Sequence, residues 1–318
     1  MKKKIERILE KHIDAYSFVS TKEYILTRQS LHKNDAFDDY SALDGYDTII
    51  TLGLSYSSEY LPYKKGYGRL SRYSYGMDYH IVMRDRLKQI EDELKSLGIK
   101  MTSSVDTGPI DERWASYVSG LGMLGKNQYL IHRKFGGHLY LATILIDVDI
   151  EKEFTVLDSC GECNICVTAC PSNALDGGFV QDRCISHTTQ SKKVLSDTEM
   201  KHINSLIYGC DICQRVCPKN EGVNFTHNQE FTPTGIEQVP LKDILQMTNK
   251  EYKNIYGNNA SSWKGPLIIK RNALCLLMNK EDTSSIPIIQ ESIDKYSNVL
   301  WYNSVAKRVL EKLEVKSK

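Results

Sequence analysis

A chain of 318 residues, 41% hydrophobic and 25% charged, has the composition of an ordinary globular protein, one large or two modest domains, which excludes a disordered chain. Its formal net charge of +1 gives no global attraction for nucleic acid, so a polyanionic partner has to be met by local patches. No stretch reaches the roughly 18 apolar residues of a membrane span, and the basic start MKKKIERILEKHIDAYSF lacks the apolar run of a secretory signal, so a cytoplasmic protein with no membrane partner is expected.

Along residues 1–18, Ile5, Ile8, Leu9, Ile13 and Tyr16 stand at helical spacing, which predicts a helix there. YDTIITLGLSY (46–56) predicts a buried strand. Between 78 and 97 the series Met83, Leu87, Ile90, Leu94, Leu97 predicts an amphipathic helix. Residues 111–119 also look helical, and HLYLATILID (138–147), apolar on both faces, predicts a central strand. After Leu157 the pattern gives way to cysteine, glycine and proline punctuation, as in a chain organised by metal. The polar stretch EGVNFTHNQEFTPTG then leads to a region that is helical again, with 267–278 and 299–313 its clearest pieces and no fixed repeat period. An α+β protein divided at 1–157, 158–220 and 221–318 is expected.

Eight of the nine cysteines fall between Cys160 and Cys217, and only Cys275 lies outside, a crowding that favours metal over disulfides. Cys160, Cys163, Cys166 and Cys170 stand in C-x2-C-x2-C-x3-C before Pro171, the bacterial ferredoxin spacing in which the fourth cysteine ligates the other cluster. Cys184, Cys210, Cys213 and Cys217, before Pro218, repeat that ending with the first cysteine displaced upstream. The crossing rule assigns Cys160, Cys163, Cys166 and Cys217 to one [4Fe–4S] cluster and Cys170, Cys184, Cys210 and Cys213 to the other. Zinc ribbons also use C-x2-C pairs, but they do not explain the CP endings or the two sets of four. Two clusters held close together suit electron transfer. Cys275, inside ALCLLM, reads as a buried small hydrophobe.

GLGMLG (120–125) matches the dinucleotide fingerprint, and with Lys126 it matches a P-loop. Both fail on context: ERWASYVS before it looks helical where a strand is needed, and Asn127 stands where a P-loop carries Ser or Thr. Two readings remain open, a plain tight turn or a backbone approach to a large ligand.

Together VDTGPIDER (105–113), GLGMLGKN (120–127), RYSYGMDYH (72–80), RCIS (183–186), GCDICQRVCP (209–218) and SSWKGPLIIKRNAL (261–274) resemble the epoxyqueuosine reductases, in order and over nearly the whole chain. The resemblance implies a cobalamin-dependent, two-cluster enzyme that makes queuosine at the wobble position of transfer RNA. It implies a nitroreductase-like cobalamin-binding α/β domain, a ferredoxin-like two-cluster module and a short C-terminal helical-repeat-like region. Asp106 matches the family's catalytic aspartate, the expected proton donor. Ser71, Arg72, Asp106, Lys126, Asn127, Ser186 and Gln190 match its cobalamin contacts. Lys192, Lys193, Lys264, Lys270 and Arg271 are candidates for RNA phosphates. DYHIVM (78–83) lacks the glycine of the D-x-H-x-x-G signature, so cobalamin is expected without a protein histidine on cobalt, and His80 reads as a partly buried helix residue. Glu112 and Arg113 read as a pair at a helix start. The expected partners are transfer RNA bearing epoxyqueuosine and a flavodoxin- or ferredoxin-like electron donor, with the chain a monomer. A reductive dehalogenase shares these cofactors but typically carries a twin-arginine leader, which this N-terminus lacks. A bare ferredoxin would not need the long α/β stretch before its cysteines.

Overall fold

The computed structural model describes residues 1–31, 39–152 and 158–317. Contacts gather them into two compact units, one made of Met1–Ser57, Tyr79–Asn164 and Cys217–Asn228, the other of Ser58–Asp78, Ile165–Val216 and Gln229–Lys318. The grouping differs from the consecutive stretches expected, because the cysteine region contributes to both units. The expected boundary at 157 lies outside the described residues. No helix among the described residues is long and apolar enough to cross a membrane.

The first unit is built on a four-stranded sheet in the order Ala15–Ser20, Thr48–Ser55, Leu139–Ile146, Met101–Ser104, antiparallel at every pairing. The Thr48–Ser55 strand is buried along its whole length, and Leu139–Ile146 lies between it and Met101–Ser104, as its two-sided apolarity predicts. The Tyr79–Ser96 helix buries Met83, Leu87, Ile90 and Leu94 of the predicted stripe, with Val82 in addition, and ends before Leu97, which is half-buried. At the N-terminus the expectation needs correction: the helix is Lys2–His12 only, and Ala15–Ser20 is a strand. Tyr16 continues the helical spacing by coincidence. Pairing of Ala15 with Gly53 through Ser20 with Thr48 overrides local pattern, and the aromatic and β-branched side chains of Tyr16, Phe18 and Val19 suit a strand. On the sheet's other flank the Glu112–Val118 helix starts at Asp111, whose carboxylate accepts the Trp114 N–H at 3.1 Å.

The second unit carries a three-stranded sheet, Leu206–Tyr208 parallel to Tyr67–Leu70 and the latter antiparallel to Gln238–Pro240. Helices Leu241–Gln246, Asn249–Tyr256, Pro266–Asn279, Ile286–Lys295 and Leu300–Ser317 complete it. Pro266–Asn279 is buried without interruption from Ile268 to Met278 and is the spine of this core. Cys275 is fully buried within it, as its apolar neighbours predict.

Candidate active site and cluster-binding cysteines

Asp106 lies between the Met101–Ser104 edge strand and the Glu112–Val118 helix, in the first unit. The Thr107 N–H closes on the Val105 carbonyl at 2.7 Å, so Asp106 is the centre of a three-residue turn, with φ 60°. Such turns are rare and strained; holding a residue other than glycine there costs about 1–3 kcal/mol. Gly108 follows because the loop folds back on the strand: a Cβ there would come within 2.1 Å of the Ser104 hydroxyl oxygen.

Three side chains fix the turn. Glu112 Oε1 accepts the Asp106 N–H at 2.8 Å. His80 Nε2 lies 2.7 Å from Asp106 Oδ2, and the Tyr79 hydroxyl donates to the same oxygen. Tyr79 and His80 open the Tyr79–Ser96 helix. The Tyr79 ring stacks on Tyr140 (centroids 4.4 Å apart, planes at 5°) and on the His80 ring at 4.1 Å, and buried Tyr140 packs against Tyr56, an aromatic stack that fixes the Tyr79 hydroxyl beside the carboxyl. Partial burial works against ionisation of Asp106, but the hydrogen bonds from His80 and Tyr79 outweigh it and hold the carboxyl below the usual carboxylate range. Glu112 behaves oppositely: burial, and then the neighbouring Asp106 charge, push it up to about 8. One carboxyl is thus ionised at neutral pH while its neighbour keeps a proton. His80 is the half-buried helix residue expected, but its ring nitrogen is engaged by Asp106. The expected Glu112–Arg113 pairing is replaced, since Glu112 turns to Asp106 and Arg113 donates to the Gln128 carbonyl at 3.3 Å.

GLGMLGKN follows a helix and enters a two-residue hairpin, Met123–Leu124 against Leu130–Ile131, which fits neither nucleotide fingerprint. Lys126 is exposed and spends two of its three donors on the Gly161 carbonyl (2.9 Å) and Asn164 Oδ1 (2.8 Å), at the start of the cysteine region. Asn127 is buried in the turn, its Oδ1 accepting the Tyr129 N–H at 3.3 Å.

Among the cysteines, Cys170, Cys184, Cys210 and Cys213 all belong to the second unit. Burial raises the Cys210 thiol, and Cys184 and Cys170 raise it further; Cys213 is raised by burial and then by Cys210, Cys184, Cys166 and Cys170. In the first unit Cys217 is raised by burial and by Cys160 and Cys163. Thiols that destabilise one another's ionised forms in this way are suited to shared positive charge, which iron supplies. Among the described residues no three His, Cys, Asp or Glu side chains converge on a single-ion site; a cluster instead bonds each cysteine to a different iron and asks for wider spacing.

The remaining candidates lie in the second unit, and the structure sorts them. Ser71 and Arg72 are buried: the Ser71 N–H goes to the Tyr208 carbonyl, the Arg72 N–H to Asp211 Oδ2 at 3.0 Å, and the Arg72 guanidinium lies 3.4 Å from the Tyr60 ring centre. Ser186 and Gln190 are half-buried. The Gln190 amide donates to the Tyr73 hydroxyl (3.0 Å) and the Ser186 carbonyl (3.1 Å), and accepts from Tyr208. The Tyr208 hydroxyl accepts from the Trp263 indole at 2.8 Å, which fixes an indole that is 64% exposed. Sequence reasoning overlooked Trp263, although it stands inside SSWKGP. Lys264 lies over its ring at 4.2 Å, Lys192 is exposed, and Lys193 is bound to Glu199 at 2.8 Å.

Lys270 and Arg271 are corrected as RNA candidates, since both are fully buried. Lys270 Nζ donates to the Leu245 and Met247 carbonyls at 3.0 and 2.6 Å, and Arg271 to those of Thr188 and Ser191 at 2.9 and 2.8 Å. They satisfy the carbonyl ends of the Leu241–Gln246 and Ile185–Gln190 helices, and Asn272 beside them bonds the Thr189 and Ile207 carbonyls. Burial lowers Lys270 to about 8 and Arg271 to about 10, and each still finds acceptors for its hydrogens. Arg271→Ala should therefore cost about 2–4 kcal/mol in an unfolding titration, by orphaning buried carbonyls. RNA affinity measured well below the melting temperature should stay within twofold; a large affinity loss in a stably folded variant would restore Arg271 to the RNA surface.

Comparison with known proteins agrees with this geometry. Residues 38–107 match the family model described as epoxyqueuosine reductase QueG, DUF1730, and residues 159–220 match a 4Fe–4S double cluster binding domain. An epoxyqueuosine reductase of Lactococcus garvieae is 36% identical over 94% of this chain and 88% of its own length, and one of Bacillus subtilis is 33% identical over 88% and 78%. The chain belongs to the epoxyqueuosine reductase family. Like the family it is an oxidoreductase. A crystal structure of epoxyqueuosine reductase with an epoxyqueuosine-modified tRNA-Tyr stem loop superposes with a TM-score of 0.87 at 30% identity, covering 98% of this chain and 90% of that one. The Streptococcus thermophilus reductase superposes at 0.88 and 29% with the same coverage. A Bacillus subtilis structure, also at 0.88 and 29%, has its catalytic aspartate loop swung out of the active site. The epoxyqueuosine reductase match contains Tyr79, His80 and Asp106, and the double-cluster match contains all eight clustered cysteines.

Proposed function

We propose that this epoxyqueuosine reductase family member removes the epoxide oxygen of epoxyqueuosine in transfer RNA with two electrons and two protons, releasing water, and that Asp106 delivers the proton to the departing oxygen. The observation that carries this reading is the Asp106 turn: a strained carboxyl with an imidazole and a phenol on one of its oxygens. Such a carboxyl is a poor proton store alone, so the Asp106–His80 pair holds the proton jointly and Asp106 passes it on as the C–O bond breaks. An alkoxide leaves badly unless it is protonated, which is why an acid is needed there. The catalytic aspartate loop of the Bacillus subtilis relative is the counterpart, on this reading, of the Val105–Thr107 turn.

Two [4Fe–4S] clusters, when bound, would supply the electrons one at a time. Cys170, Cys184, Cys210 and Cys213 hold one, and the other four cysteines are assigned to the second by their spacing. A bound cobalamin would supply a two-electron reductant at cobalt. Exposed Lys126, with one of its three donors unspent, would fit an amide arm of such a group. Ser186 and Gln190 are further candidates for the amide arms. Ser71, Arg72 and Asn127 serve by shaping their turns. On the same reading the first unit is the nitroreductase-like cobalamin fold and the C-terminal helices are the repeat-like layer. Lys192, Lys193 and Lys264 meet RNA phosphates, Trp263 offers a ring for stacking, and a flavodoxin- or ferredoxin-like protein reduces the monomer. The test is anaerobic titration with cobalamin followed by gel filtration. The reading expects about one corrin retained per chain, as a cofactor of this kind requires; free passage of all corrin would overturn the cobalamin assignment.

A further inference from the structure

We propose that Glu112 is the positioning residue for Asp106: through the oxygen that accepts the Asp106 N–H, it holds the strained turn closed and so aims the carboxyl at the reacting epoxide. The inference rests on the reading of Asp106 as the proton-delivering group. Its geometry is independent of that reading.

The Val105–Thr107 turn does not hold itself. Its own closing bond, Thr107 N–H to Val105 carbonyl, requires Asp106 at φ 60°, a conformation that non-glycine residues adopt only when their surroundings enforce it. His80 and Tyr79 act on the tip of the side chain, so they enforce where the carboxyl sits once the turn exists. Among the described residues, it is Glu112 that holds the backbone amide of Asp106. Glu112 can do this because it is the first residue of the Glu112–Val118 helix, whose start is fixed by the Asp111 cap on Trp114 N–H and by the Asp111 N–H on the Tyr24 hydroxyl. The restraint therefore runs from a rigid helix start to the centre of a strained turn.

An oxygen acceptor is what the amide needs, and a charge is not. The groups facing Glu112 are Asp106, Asp111 and Arg113, with His80 and Tyr79 beyond Asp106. Two of the three nearest are acidic, so a second negative charge here repels Asp106. Burial and that repulsion keep Glu112 protonated through neutral pH. An acid raised in the folded state stabilises the fold below its unfolded value and loses that contribution as pH rises through the folded one. Here the loss runs from the ordinary glutamate range to about 8, so the turn should loosen at alkaline pH.

Glu112→Ala and Glu112→Gln in the cluster-loaded enzyme separate acceptor from charge. Glutamine keeps the carbonyl-type oxygen and copies the protonated form. The expected results are a single-turnover rate about 10- to 100-fold lower in Glu112→Ala, the scale of a misaimed catalytic group, with stem-loop affinity and iron content unchanged. Glu112→Gln should restore the rate to within about threefold and remove its alkaline decline. Hydrogen exchange gives a readout that needs no turnover: the Asp106 amide should exchange at least about tenfold faster in Glu112→Ala, and at the wild-type rate in Glu112→Gln. Wild-type exchange in Glu112→Ala, or a Gln variant as impaired as the Ala variant, overturns the proposal. If Asp106→Asn keeps its activity while Glu112→Ala still frees the amide, the Asp106 assignment fails and the positioning role stands.

Discussion

Replacing Cys184 by alanine is expected to remove one whole cluster, so that iron falls from about eight to about four per chain, and to abolish turnover even with a chemical reductant. Cys184 is one of the four thiols assigned to the cluster of the second unit, close enough to Cys210 and Cys213 to raise both, and three thiolates do not retain a labile cluster in such a setting. The substitution leaves the local fold intact, because Cys184 caps the Ile185–Gln190 helix with its backbone carbonyl, which accepts the Thr188 N–H at 2.9 Å. Loss of iron therefore reports ligation and not unfolding, which circular dichroism can verify. A variant that keeps the wild-type iron count would remove Cys184 from the ligand set and, with it, the crossing of the two motifs. Substantial zinc in the wild-type chain would contradict the cluster assignment altogether.

Asp106→Asn is expected to lower single-turnover deoxygenation by roughly 10²- to 10⁴-fold, the usual contribution of a positioned acid. Asparagine is among the few residues that accept a left-handed backbone, so the turn at φ 60° survives. Its amide oxygen can still accept the Tyr79 hydroxyl, and its N–H can still reach Glu112. What disappears is the charge that pairs with His80 and the capacity to carry a proton. The wild-type carboxyl has a depressed pKa, so its stabilising contribution is present at neutral pH and is lost as pH falls through its folded value; the variant should lack that acid-side dependence. Stem-loop binding, corrin retention and iron should be unaltered. A variant with half or more of the wild-type rate would make Asp106 a turn residue only.

Much of this arrangement was legible in the sequence, and its gaps have physical causes. The cysteine spacing carries its chemistry locally, because short motifs fix ligand geometry. The 78–97 stripe and the 138–147 run translated directly into a helix and a strand, since both are long and strongly patterned. The Ala15–Ser20 strand was hidden, because its identity is decided by pairing with Thr48–Ser55. Lys270 and Arg271 read as surface cations because a composition rule cannot see helix ends arriving from elsewhere in the chain. Asp106 was found through its motif. Its partners Tyr79 and His80 were not, although both stand in the quoted motifs, because a bond across 27 residues leaves no periodic trace, and Glu112, six residues on, read as a helix-start partner of Arg113.

The most direct test is a single-turnover experiment on an epoxyqueuosine-bearing stem loop, using anaerobically purified and chemically reduced protein with and without added cobalamin. The account predicts about one queuosine formed per chain when corrin is bound and essentially none without it, since a bound cobalamin would supply the two-electron reductant. Equal product formation in corrin-free protein, or no product from protein with both clusters and corrin in place, would contradict it.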